Sequence, residues 1–124
     1  LKGGAVELFV LVVKETRFLD DILTGFVDIG VHGATVVDSR GMGQILTAEV
    51  PIFAGLRDLM PGGNIGSHLI LSVMDEKQVD KAIQLVEETC GSFSEEGIGV
   101  IFTVPVRRFY GYSGRRGSGR KQDV

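Results

Sequence analysis

Two Gly-x-Gly elements, Gly41-Met42-Gly43 and Gly97-Ile98-Gly99, are the residues of this 124-residue chain best suited to handling a ligand. Glycine lets the main chain take positive φ and lets another group approach it closely. At strand ends such bends present backbone N–H groups to an anion. The chain holds 18 glycines, so tight turning explains the same residues, and both readings stand at this level. A second chemical group is C-terminal. Arg107, Arg108, Arg115, Arg116, Arg120 and Lys121 face a single acid, Asp123, on a Gly/Ser-rich stretch. That composition suits a mobile, solubilising end or a supply of arginines for a phosphate or an acidic partner.

Catalytic chemistry has few resources. The two histidines, His32 and His68, adjoin strand-like runs and read as a solvated or capping residue and a paired surface group. No His/Cys/Asp cluster has metal-ligand spacing, and neither Gly-x-Ser-x-Gly nor a Walker sequence occurs. The single cysteine, Cys90, falls at a helix end and reads as a buried, inert thiol. The expectation is a protein that is not an enzyme, with no metal and no catalytic cofactor.

These groups must be positioned by one modest domain. Its hydrophobic fraction of 44% and charged fraction of 23% are ordinary for a globular protein. The apolar run Leu8 to Val13 is too short to span a bilayer and lacks the flanks of a secretory signal. With one cysteine, this fits a reducing cytoplasm and no membrane insertion. Net charge is −3; because the tail is basic, the rest of the chain is distinctly acidic.

Along the chain, Val6 to Val13 reads as a strand covered on both faces. A helix follows over Arg17 to Ile29, with Leu19, Ile22, Leu23, Phe26 and Val27 on one face, Thr16 as cap and Gly30 as stop. A second strand runs from Ala34 to Ser39. The plan then repeats. Ser67 to Met74 reads as a strand, and Asp75 with Gln78 forms a capping-box signature. The helix to Cys90 turns Val79, Ala82, Ile83 and Val86 inward and stops at Gly91, and the last strand is Val100 to Val106. Between the halves lies a long connection, 41–66. Its Ile52, Phe53, Leu56 and Leu59 would share one face of a short helix, packed on the core or docking a partner.

Two strand–helix–strand units in tandem predict an α+β, ferredoxin-like βαββαβ fold: a four-stranded antiparallel sheet with both helices on one face. Residues 1–106 form the body and 107–124 the tail. Strand residues of both parities are apolar, as in Phe9-Val10-Leu11 and Leu69-Ile70-Leu71. The second sheet face therefore needs a cover, and a symmetric oligomer supplies one. RNA-recognition domains share this topology, but they stack bases on strand aromatics. Ser67 to Met74 has none and the body is acidic, so no nucleic-acid partner is expected.

The order and spacing of these segments resemble the PII family of nitrogen-regulatory signal transducers. Gly33-Ala34-Thr35-Val36-Val37-Asp38-Ser39-Arg40-Gly41-Met42-Gly43-Gln44 is similar to the family's second strand running into its effector loop. Gly97-Ile98-Gly99-Val100-Ile101-Phe102 is similar to its Gly-Asp-Gly-Lys-Ile-Phe segment, and Phe18-Leu19-Asp20-Asp21-Ile22 to its Leu-Asp-Asp-Val stretch. The resemblance implies a cytoplasmic homotrimer with inter-subunit clefts that bind ATP, ADP or AMP. It also implies a loop read by a regulated transporter or metabolic enzyme, in nitrogen or related metabolism.

On that resemblance, Gly41, Met42, Gly43, Gln44, Gly97, Ile98 and Gly99 would surround the effector. Thr35 and Ser39 would add hydroxyls, and Arg107, Arg108, Arg115 and Arg116, nearby in sequence rather than at the family's positions, are the candidates to substitute for its cations. Ile98 and Val100 stand where the family has Asp and Lys, and Gly111 and Ser113 where it has an Arg-x-Arg pair. A charge-assisted hydrogen bond is worth roughly 1.5–3 kcal/mol, so the site implied is poorer in cations and weaker in its hold on phosphate than the family's. No tyrosine occurs between Gly41 and Gly66. A trimeric ACT- or CutA-like protein binding a small molecule or metal is the alternative.

Overall fold

In the computed structural model, residues 5–49, 67–94 and 97–111 are described. Four strands, β1 (Val6–Val13), β2 (Thr35–Ser39), β3 (Ser67–Asp75) and β4 (Gly99–Pro105), make one antiparallel sheet in the order β2-β3-β1-β4. Three helices accompany it: α1 (Leu19–Asp28), α2 (Met42–Glu49) and α3 (Glu76–Cys90). This is the expected ferredoxin-like order.

Strand parity decides what is buried. On β1, Phe9, Leu11 and Val13 lie fully buried under the helices, and register sets Phe9 opposite Ser72 and Leu11 opposite Ile70 on β3. From above, α1 contributes Ile22 and Phe26, and α3 contributes Val79, Ala82, Val86 and Cys90, to the same core. The Phe26 ring meets Phe9 edge-on at 5.8 Å, the arrangement that aromatic quadrupoles favour. The helices pack closely at Gly25, where an added Cβ would fall 2.6 Å from the methyl groups of Leu85 on α3 and oblige that side chain to shift. Buried Ser72 is satisfied by donating to the Gly33 carbonyl at 2.7 Å, as a hydroxyl in an apolar layer must be.

Three expectations need correction. The first helix opens with a separate 3-10 turn, Thr16–Phe18, and Thr16 makes no cap bond because its hydroxyl is directed to His68. Val27 is exposed rather than part of the inner face. Residues 42–49, read as the start of the long connection with no element of their own, form α2. The helix expected over Ile52, Phe53, Leu56 and Leu59 lies outside the described residues.

The capping box at α3 stands as read: Asp75 Oδ1 accepts from Gln78 N at 2.8 Å, and Gln78 Oε1 accepts from Asp75 N at 3.1 Å.

Candidate functional site

The strand register sorts the candidate residues by position. Asp38, His68, Val13 and Gly99 form one row across the sheet, from β2 through β3 and β1 to β4. Gly41 follows the end of β2 and Gly97 precedes the start of β4, so both glycine elements lie at the same end of the sheet. They stand on its two outer strands, however. Three strand spacings put them about 14 Å apart, too far for one small ligand to touch both within a protomer.

The two elements also differ locally. Gly97 has φ +88° and Gly99 φ +150°. An added Cβ on Gly99 would lie 2.0 Å from the Val12 carbonyl oxygen, whereas Gly97 has open space around it. Ile98 packs against the core, and its carbonyl accepts from Lys14 N at 3.2 Å. Gly99 is therefore required by the pairing of β4 with β1, and Gly97 is the member left facing outward. Gly41 and Gly43 are not among the positive-φ glycines, which corrects their reading as a free bend. They open α2 instead, and Ile45 N donates to Gly41 O at 3.0 Å. Helix starts in general favour anions through aligned amides and the positive end of the macrodipole. Met42 is strongly exposed there.

The stems of the loop are held together beside that helix start. On the open sheet face Ser39 Oγ lies 2.8 Å from Ser67 Oγ, and Ser67 Oγ also donates to Ser39 O at 3.3 Å. On the helix-facing side Asp38 Oδ1 approaches His68 Nδ1 to 3.0 Å. Thr35 stands at the other end of β2, exposed and opposite Leu71.

The arginines are elsewhere. Arg107 and Arg108 follow the far end of β4, where Val106 N donates to Val6 O. The span from Gly99 to Val106, at about 3.3 Å rise per residue, makes about 23 Å. The structure thus separates these two cations from the glycine elements of the same protomer. Arg115 and Arg116 lie outside the described residues.

Sequence reasoning missed the link from His68 to Thr16, whose Oγ1 lies 2.9 Å from Nε2. The two are 52 positions apart, and no local pattern signals their meeting. Cys90 is buried as expected; burial first, then the charge of Glu15, raises its pKa and keeps the thiol protonated. Among the described residues no group of three or more His, Cys, Asp or Glu could hold a metal ion, and no helix is long and apolar enough to cross a membrane.

Comparison with known proteins adds a family. The model for nitrogen regulatory protein P-II matches residues 8–115. Among solved structures, the chain is similar to the crystal structure of Arabidopsis thaliana PII bound to citrate, with a TM-score of 0.58. The two are 21% identical, over 83% of this chain and 78% of that one. Among curated proteins no sequence match is found.

Proposed function

Since the chain belongs to the nitrogen regulatory protein P-II family, we propose that it is a trimeric sensor that binds a small anionic effector between subunits. The effector is an adenine nucleotide: ATP, ADP or AMP. The observation that carries this reading is the placement of the two glycine elements on opposite outer strands at one sheet end. Neither element completes a site alone, yet in a closed ring each protomer offers one to each neighbour.

In this arrangement the start of α2 (Gly41, Met42, Gly43 and Gln44, with Ser39 behind it) faces the outward bend at Gly97-Ile98-Gly99 of the adjoining copy. Helix-start amides and bend amides would cradle phosphate or carboxylate oxygens. The Arabidopsis structure holds citrate, a polycarboxylate, which makes citrate a useful anionic probe. Bound effector would shift the loop between arrangements by differential affinity. A partner, a transporter or metabolic enzyme in nitrogen or related metabolism, would read the result. Thr35, on the open face, and Arg107 and Arg108, at the far sheet end, join such a site only if a neighbour brings them.

Isothermal calorimetry with ATP, ADP, AMP and citrate, with and without magnesium, tests this reading. One adenine nucleotide should bind per protomer, and Gly97→Val should lower its affinity at least tenfold while the oligomer persists. Removal of residues 113–124 tests whether the tail arginines contribute. Absence of heat for every nucleotide, or unchanged affinity in Gly97→Val, would refute the nucleotide reading.

A further inference from the structure

The sheet end that carries the loop stems is closed on its helix-facing side by three side chains from three elements. Register sets Asp38 on β2 opposite His68 on β3, and His68 opposite Val13, the last residue of β1. The chain leaving β1 reaches the 3-10 turn three residues later, and its first residue is Thr16. Thr16 Oγ1 lies 2.9 Å from His68 Nε2, while His68 Nδ1 lies 3.0 Å from Asp38 Oδ1. The imidazole side chain is 16% exposed and the Asp38 carboxylate 92%.

A hydroxyl, an imidazole and a carboxylate in this order suggest a nucleophile relay. A relay, however, requires the carboxylate to fix the tautomer through an aligned Nδ1–H bond. Nδ1 is shielded from solvent and meets no acceptor at hydrogen-bond angles. The approach to Asp38 is therefore a short polar contact without hydrogen-bond alignment, and the directional bond is the one to Thr16. Such a trio acts by holding elements in place. Beside Thr16, Arg17 of the turn and Glu15, the residue that precedes it, pair with each other at 2.6 Å.

The serine pair on the opposite face, Ser39 with Ser67, joins the two stems only to one another. His68 does more: it reaches from the stems across to the turn that opens the first helix. We infer that Thr16, His68 and Asp38 form a clasp that couples the base of the effector loop to the start of α1, with His68 as the positioning residue. Asp38 lies three residues before Gly41, so a rearrangement at the start of α2 displaces Asp38 and is felt at Thr16. The turn Thr16–Phe18, on which the Arg17 guanidinium sits 4.7 Å over the Phe18 ring, is thereby a second exposed surface that follows the state of the loop. Its geometry is independent of any ligand; its regulatory meaning rests on the effector-loop reading above.

Native-state hydrogen exchange on the full, ligand-free chain tests the clasp. Thr16→Val removes the hydroxyl at an exposed position, and its melting temperature verifies that the fold is kept. Removing a net hydrogen bond should speed exchange of the amides from Ser39 to Ile45 by about two- to tenfold, although Thr16 belongs to another element. Thr16→Ser should restore wild-type rates. In a His68→Phe background Thr16→Val should add nothing, the non-additivity expected of coupled residues. Thr16→Val that alters only amides 16–20, or effects that simply add, would overturn the inference. Titration of wild type with ATP, ADP and AMP separates the two readings: coupled exchange without binding of any of the three leaves the clasp and removes the nucleotide, and nucleotide binding with uncoupled exchange does the reverse.

Discussion

Gly97 and Gly99 look alike in the sequence and carry different physical loads. At Gly99 the main chain lies so near β1 that a methyl group would meet the Val12 carbonyl, at a φ that side chains avoid. At Gly97 φ is also positive, but nothing stands within 4 Å. Gly99→Ala should therefore cost about 2–4 kcal/mol, from backbone strain and overpacking together. Gly97→Ala should cost about 1–2 kcal/mol, the penalty of a left-handed conformation alone. Urea unfolding at constant m-value measures both, and equal losses would contradict the close approach at Gly99. That a Gly-x-Gly stood at a strand start was legible in the sequence. Which glycine served the sheet and which faced outward was not, because the neighbour that decides it, Val12, is brought there only by the pairing of β4 with β1. His68 follows the same logic: its strand position could be read, but its partners Thr16 and Asp38 meet only in three dimensions.

Elements with their own end signals were read closely, and those without were missed. Asp75 and Gln78 announce the start of α3, and the structure has both reciprocal bonds of the box. Gln78 does something further that no capping pattern encodes: its Nε2 donates to the Gly30 carbonyl at 2.9 Å, tying the start of α3 to the segment that ends α1. Asp75→Ala should thus cost about 1 kcal/mol, an ordinary cap penalty. Gln78→Ala removes two side-chain bonds and should cost about 1–2 kcal/mol more than an exposed helix substitution without partners. Thermal unfolding of the two variants ranks them, and a Gln78→Ala destabilisation no greater than that of Asp75→Ala would show the link to Gly30 to be energetically idle. By contrast α2 opens on Gly41-Met42-Gly43, where glycine argues against helix. Its mixed apolar and polar residues gave no clear period, so its sequence read as connection. The turn Thr16–Phe18 was likewise merged into α1, since hydrophobic spacing runs through both and only the use of the Thr16 hydroxyl separates them.

At the scale of the whole molecule, the feature that asks for explanation is the sheet face turned away from the helices. Register lines up Val100, Val12, Leu69 and Val37 in one row and Phe102, Val10, Leu71 and Thr35 in the next. At its edges Phe102 is 49% exposed, Val100 50%, Val104 43% and Val37 41%. The sequence signalled this through strands apolar in both parities, which is why a cover was expected before any geometry was known. A self-complementary ring of three copies would bury that face and set the two glycine elements of neighbours against each other, so assembly and effector binding should fail together. Phe102→Glu tests this because Phe102 stands on the open face at half exposure, where a carboxylate in a lone protomer remains solvated. In an assembled ring the same carboxylate would be buried without a partner, at a cost of several kcal/mol. Sedimentation velocity should give three copies for wild type and one for Phe102→Glu. Circular dichroism and the protomer's helix and sheet content should be unchanged, and calorimetry should register no nucleotide binding to the variant. A wild-type protein that sediments as a single copy at micromolar concentration, or a Phe102→Glu protein that stays associated, would place the subunit contacts somewhere other than this face and remove the basis for a shared cleft.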